Sequence, residues 1–152
     1  METAVLTQFK DLGLAAVLAF AAMGSACGAG MAGMAAIGAW KKALMQNKAA
    51  PLILVAFVGA PLTQTVYGFI LVQNLTPLVD KGLYGWGVGI FCGIAMGLSA
   101  LFQGKAGAVA ADAMGETGKG FGNYIMVLGI IETVALFVMV FSMAFLGKLA
   151  GA

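Results

Sequence analysis

Apolar residues dominate four stretches of this chain, roughly Leu12 to Ala39, Leu52 to Leu75, Tyr84 to Ala111 and Gly122 to Leu146. Each is long enough for a helix, rising about 1.5 Å per residue, to cross about 30 Å of hydrocarbon. Short polar breaks separate them: Trp40 to Pro51 carries Lys41, Lys42 and Lys48, Thr76 to Gly82 carries Pro77, Asp80 and Lys81, and Asp112 to Gly120 carries Asp112, Glu116 and Lys119. The pattern predicts an all-α membrane protein, with four transmembrane helices joined by three short loops in a single membrane domain over residues 1–152.

The second half of the chain repeats the first. Ser25-Ala26 and Gly30-x-Ala32-Gly33 fall on Ser99-Ala100 and Gly104-x-Ala106-Gly107, and Gln64-Thr65-Val66-x-x-Phe69 falls on Glu132-Thr133-Val134-x-x-Phe137. The order is preserved, so the chain reads as a duplicated helical hairpin, 12–75 and then 84–149. The first loop has more lysines than any other loop or terminus, which places loops one and three in the cytoplasm and both termini outside.

Composition agrees with a bilayer. Of 152 residues 62% are hydrophobic and only 9% charged, with a mean hydropathy of +1.01, too little polar surface to cover a soluble globule. Eight lysines face six acids, with no arginine or histidine. No basic stripe exists to follow a phosphate backbone, which argues against nucleic acid as a partner. Cys27 and Cys92 stand apart and read as small apolar packing residues rather than metal ligands. Gly24-Ser25-Ala26-Cys27 loosely resembles a lipoprotein signal, but Gly24 stands where a large aliphatic residue is expected and the apolar run continues to Ile37, so the first segment is expected to be retained.

Gly28-Ala29-Gly30-Met31-Ala32-Gly33 has the spacing of a dinucleotide-binding fingerprint without the preceding strand or the later acidic residue which that motif needs. In a bilayer these glycines have another use, because small residues let helix backbones approach closely. The first and third spans carry most of them, including Gly24, Gly28, Gly30, Gly33 and Gly38 in one and Gly89, Gly93, Gly97, Gly104 and Gly107 in the other, and are expected to form a tight inner layer. The second and fourth spans, with Phe57, Tyr67, Phe69, Phe137, Phe141 and Phe145, suit an outer layer facing lipid.

Glu132 lies about ten residues into the fourth span, about 15 Å from its start and near the bilayer centre. An ionised acid there costs about 3 kcal/mol on insertion scales, so an intramembrane carboxylate reads first as functional, protonated or neutralised by a bound cation wherever it faces lipid. Gln103 and Glu132 are almost equally far from the third loop's midpoint, and Gln64 is at the matching depth of its own hairpin. Thr63 adds a hydroxyl at that level. Pro61 cannot donate to the Phe57 carbonyl and leaves main-chain oxygen available, and Tyr67 shares a helix face with Gln64, within reach of a carboxylate. A hard cation takes several oxygen ligands, whereas a proton needs only the carboxyl and one acceptor. The structural alternative is a protonated Glu132 that serves as interhelical glue in a tetraspan scaffold. Concentration of the polar groups at one level argues against a continuous aqueous pore.

Pro61-x-Thr63-Gln64-x-x-Tyr67-Gly68-Phe69, Gln103-Gly104-Lys105, Glu132-Thr133 and the duplicated glycine-rich hairpins resemble the V-type ATPase proteolipid called subunit K in bacteria. The resemblance covers essentially the whole chain. It implies a homo-oligomeric ring of identical copies turning against a stator membrane subunit whose arginine opens the site, with loops facing a central-stalk subunit and no catalysis by the chain itself. It further implies a sodium ion (alternatively a proton) held by Glu132, Gln64, Gln103, Thr63 and the Ala60 backbone carbonyl, with Tyr67 locking the glutamate. Ala60 replaces a larger residue, which matters little where only its carbonyl binds. Lys105 is expected to snorkel along the inner helices toward the cytoplasm.

Overall fold

Four apolar helices, Leu12–Met45, Leu52–Asp80, Trp86–Thr117 and Phe121–Lys148, have the length and composition to cross a membrane. In the computed structural model, which describes Phe9, 11–83 and 85–150 (149 and 150 for backbone only), the first, third and fourth spans are helices α1 (Leu12–Met45), α4 (Trp86–Thr117) and α5 (Phe121–Ala150). The second span is built from a 3₁₀ turn Leu52–Leu54, α2 (Val55–Gly59), a 3₁₀ turn Ala60–Leu62 and α3 (Thr63–Asp80). No strand occurs among the described residues, and the protein is a multi-pass, all-α membrane protein. Lys10, both termini and Tyr84, the expected start of the third span, lie outside the described residues.

All three loops are shorter than their polar composition predicts. α1 continues through Lys41 and Lys42, α3 carries Pro77 inside it, and α4 runs past Asp112 and Glu116 to Thr117. Charged residues are compatible with helix, so they mark where the bilayer ends and not where the helix does. The first loop is pinned by Trp40 Nε1, which donates to the Pro51 carbonyl at 2.8 Å. α4 stops at Gly118, whose φ of 66° suits glycine and whose N–H reaches the Met114 carbonyl at 2.8 Å.

α1 and α4 make the most intimate pairing, backbone against backbone. A Cβ on Gly24 would sit 2.0 Å from the Gly97 carbonyl oxygen, one on Gly89 2.1 Å from the Gly13 oxygen, and one on Gly104 2.1 Å from Gly28 Cα. Gly24, Gly28, Gly89, Gly97 and Gly104 build the tight layer as expected, Gly13 joins them, and Gly30 and Gly38, expected there too, have nothing within 4 Å because they lie on another face of α1. The second span and α5 pack on its outside, and α3 also meets α5. Phe69, Phe137, Phe141 and Phe145 are exposed as expected of an outer layer. Phe57 is not: it is fully buried, against the Phe121 and Tyr124 rings. Its spacing to Pro61, Gln64, Gly68, Leu71 and Leu75, all buried, puts it on the inward face of the span.

α1 runs unbroken through Cys27, which is exposed and not packed, while Cys92 Sγ lies 3.1 Å from Ser142 Oγ. Lys105 is exposed, with Nζ 4.9 Å from the centre of the Phe102 ring. It therefore folds back toward the start of α4, opposite to the expected snorkel, as the tilt of helical Cα–Cβ bonds favours.

The backbone contact is testable. Gly97→Leu is expected to lower the thermal midpoint in detergent sharply, by an overpacking cost of about 3 kcal/mol or more, whereas Gly129→Ala, with nothing within 4 Å of the added Cβ, leaves it in place. Equal midpoints would mean that α1 and α4 do not touch there.

Candidate functional site

Pro61 organises the second span locally. It has no N–H, and the chain passes through the 3₁₀ turn Ala60–Leu62 before helix resumes at Thr63. The Phe57 carbonyl, denied that donor, faces α4 at Gly107, where a Cβ would come within 2.9 Å of it. The Ala60 carbonyl accepts the Thr63 hydroxyl at 3.1 Å. The turn thus brings one main-chain oxygen and one hydroxyl to the level of Gln64.

From there a continuous chain of hydrogen bonds crosses the bundle. Thr63 Oγ1 lies 3.2 Å from Gln64 Oε1, and Gln64 Nε2 donates to Gln103 Oε1 at 2.8 Å. Gln103 Nε2 donates to the Leu128 carbonyl at 3.1 Å and to Glu132 Oε2 at 3.3 Å. The Tyr67 hydroxyl donates to Glu132 Oε1 at 2.7 Å. Every residue singled out in the sequence for an ion site, Ala60, Thr63, Gln64, Tyr67, Gln103 and Glu132, is a member of this chain. Gln64 and Gln103 are fully buried and Glu132 is half-buried.

Two contributors have no counterpart in the sequence reading. Ser99 donates to the Ile131 carbonyl at 2.9 Å, next to Glu132, so α4 grips α5 through Ser99 and Gln103 together. Its position four residues before Gln103, on one helix face, was the available signal. The Leu128 carbonyl gives no signal, since every residue has one.

The donor set is all oxygen: one carboxylate, two amide oxygens, a hydroxyl and a main-chain carbonyl. Among the described residues no three His, Cys, Asp or Glu side chains converge. Such a set suits a hard monovalent or divalent cation better than a transition metal. Among the described residues the ion pair present is Lys42–Glu116, 2.6 Å apart and half exposed at the loop end of the bundle. Among the described residues Glu132 therefore has no cationic side chain within ion-pair distance. A groove of about 770 Å³ between α4 and α5 is apolar, with Phe91, Phe137, Phe141 and Phe145 on its walls, and contains none of these residues.

Comparison with known proteins bears on the second hairpin directly. The family model of the ATP synthase C subunit matches residues 86–145, which hold Gln103 and Glu132. Residues 86–145 are thus similar to ATP synthase C subunits. The chain is also 35% identical over 129 residues to the A-type ATP synthase subunit K of Methanocaldococcus jannaschii. The aligned part is 83% of this chain and 56% of that protein, so the chain spans about half the length of the curated relative it matches. The resemblance to a V-type proteolipid carried by the motifs agrees with both.

Between the second span and α5, the Tyr67 bond holds one carboxylate oxygen of Glu132. Tyr67→Phe is expected to raise the rate at which a carbodiimide labels Glu132 about fivefold, the equivalent of about 1 kcal/mol for one hydrogen bond. A rate equal to that of the unaltered protein would show that the hydroxyl does not restrain the carboxyl.

Proposed function

We propose that this chain is an ion-carrying rotor-ring subunit of a V-type rotary ATPase, in which Glu132 takes up one sodium ion per four-helix chain. The observation that carries the reading is the mid-helix carboxylate of a hairpin similar to ATP synthase C subunits, held by Tyr67 and Gln103 at the end of an unbroken chain of hydrogen bonds. Sodium is bound by Glu132, Gln64, Gln103, Thr63 and the Ala60 carbonyl, and Tyr67 locks the carboxylate in place. The supply of oxygens beyond what a proton needs supports sodium.

Identical copies form the ring, α1 and α4 lining its inside and the second span and α5 facing lipid. The glycine contacts of the one pair and the exposed phenylalanines of the other support that assignment. A stator membrane subunit supplies the arginine that releases the ion, in keeping with a chain that has none. The lysine-bearing first loop supports a cytoplasmic position for loops one and three, where they meet the central stalk, with both termini outside. ATP turnover belongs to other subunits of the complex; this chain carries the ion.

The second reading is a proton-carrying ring of the same family. The Tyr67–Glu132 contact supports it if its direction reverses, the protonated carboxyl donating and the tyrosine oxygen accepting across the same 2.7 Å.

Carbodiimide labelling of the purified ring separates these readings. Glu132 is expected to label near neutral pH, with millimolar sodium protecting it and potassium failing to do so. Labelling without sodium protection would make the ring a proton carrier, and absence of labelling at any pH would leave the scaffold reading. Glu132→Gln is expected to abolish ion transport while the ring still assembles.

A further inference from the structure

Ser25 is the buried side chain whose polar atom has no partner among the described residues: it is 2% exposed and its Oγ bonds to nothing. Its counterpart in the internal repeat, Ser99, uses the same hydroxyl to reach the Ile131 carbonyl at 2.9 Å. A hydroxyl removed from water and left unpaired costs free energy, so an unpaired one at a fixed place calls for an explanation.

Its place is beside the site. α1 runs antiparallel to the second span in a register set by two contacts, Gly68 against Ala21 and Gly28 against Pro61. Ser25 shares the buried face of α1 with Ala21 and Gly28 and lies between them, which puts it level with Gln64. Gly104, the neighbour of Gln103, rests on Gly28 one turn away.

Gln64 has a complementary need. Its Nε2 donates to Gln103 Oε1 at 2.8 Å and its Oε1 lies 3.2 Å from the Thr63 hydroxyl, leaving a second amide hydrogen unused among the described residues. A cation bound to Gln103 Oε1 repels the N–H aimed at that oxygen. For both amide oxygens to face the ion, the Gln64 N–H groups must turn away, into a region where a buried acceptor is required.

We propose that Ser25 Oγ is that acceptor: it takes the Gln64 amide hydrogen when the site holds its cation, and is thereby a positioning residue for sodium. The inference rests on the sodium reading given above. Ser25 touches neither ion nor carboxylate, and acts through the orientation of one amide.

The test is sodium protection of Glu132 against carbodiimide in wild-type and Ser25→Ala rings, with the sodium-free rate and the thermal midpoint measured on both. Ser25→Ala is expected to keep the sodium-free rate and the midpoint while needing about three- to tenfold more sodium for half-protection, the ordinary worth of one hydrogen bond. Ser25→Cys, a weaker acceptor, should fall between. Equal half-protection in wild type and Ser25→Ala overturns the proposal and leaves the sodium site standing, whereas no protection in wild type overturns both. Should Ser25→Ala fail to assemble, the sodium-loaded wild-type ring decides by cryo-electron microscopy. Ser25 Oγ within about 3.2 Å of Gln64 Nε2 is expected; Oγ donating instead to the Ala21 carbonyl of its own helix would sink the idea.

Discussion

An acid halfway along an apolar helix is the constraint around which this bundle is organised. Glu132 costs about 3 kcal/mol in such a position if ionised and alone, and the fold answers with partners drawn from three spans. Tyr67 and Gln103 address its two oxygens, and Gln103 is steadied in turn by Gln64 and by the Leu128 carbonyl. Removing any one member leaves another buried polar group short of a bond, which is why such networks hold a site in a single geometry.

That geometry needs close helices, and lipid supplies no hydrophobic push to bring them together. Glycine makes the approach possible. With α1 and α4 in backbone contact at Gly24 and Gly97 and again at Gly28 and Gly104, Gln103 sits deep enough to meet Gln64 from the second span on one side and Glu132 from α5 on the other. The Pro61 turn completes the arrangement: it interrupts the helix at the carbonyl and hydroxyl beside Gln64, and its burial in protein makes such a break tolerable at membrane depth.

The two hairpins have diverged around this common plan. In the sequence repeat Gln64 stands where Glu132 stands in the second hairpin, so a neutral amide takes the place of the acid. Ser99 braces α5 through a carbonyl, while Ser25 in the first hairpin remains unpaired beside Gln64. The repeat thus supplies two similar hairpins, one bearing the acid and the other donating the Tyr67 hydroxyl to it.

The span count and the common level of Glu132, Gln103 and Gln64 were legible in the sequence, because hydropathy and helical rise turn residue number into distance along a helix axis. So were several glycines of the inner layer, though not Gly30 and Gly38, which have nothing within 4 Å. Rotation about each helix axis was not legible. Depth places Phe57 and Lys105, but their facing depends on how neighbouring helices pack, and both proved different from expectation: Phe57 turned inward and Lys105 lay back on Phe102. The helix ends also outran the polar breaks, because charged residues extend a helix beyond lipid without ending it. What only the tertiary structure decided is which polar atoms meet. Length and pattern fix position along an axis, whereas hydrogen bonds such as Ser99 to Ile131 depend on interaxial distance and azimuth, set jointly by the packing of all four spans.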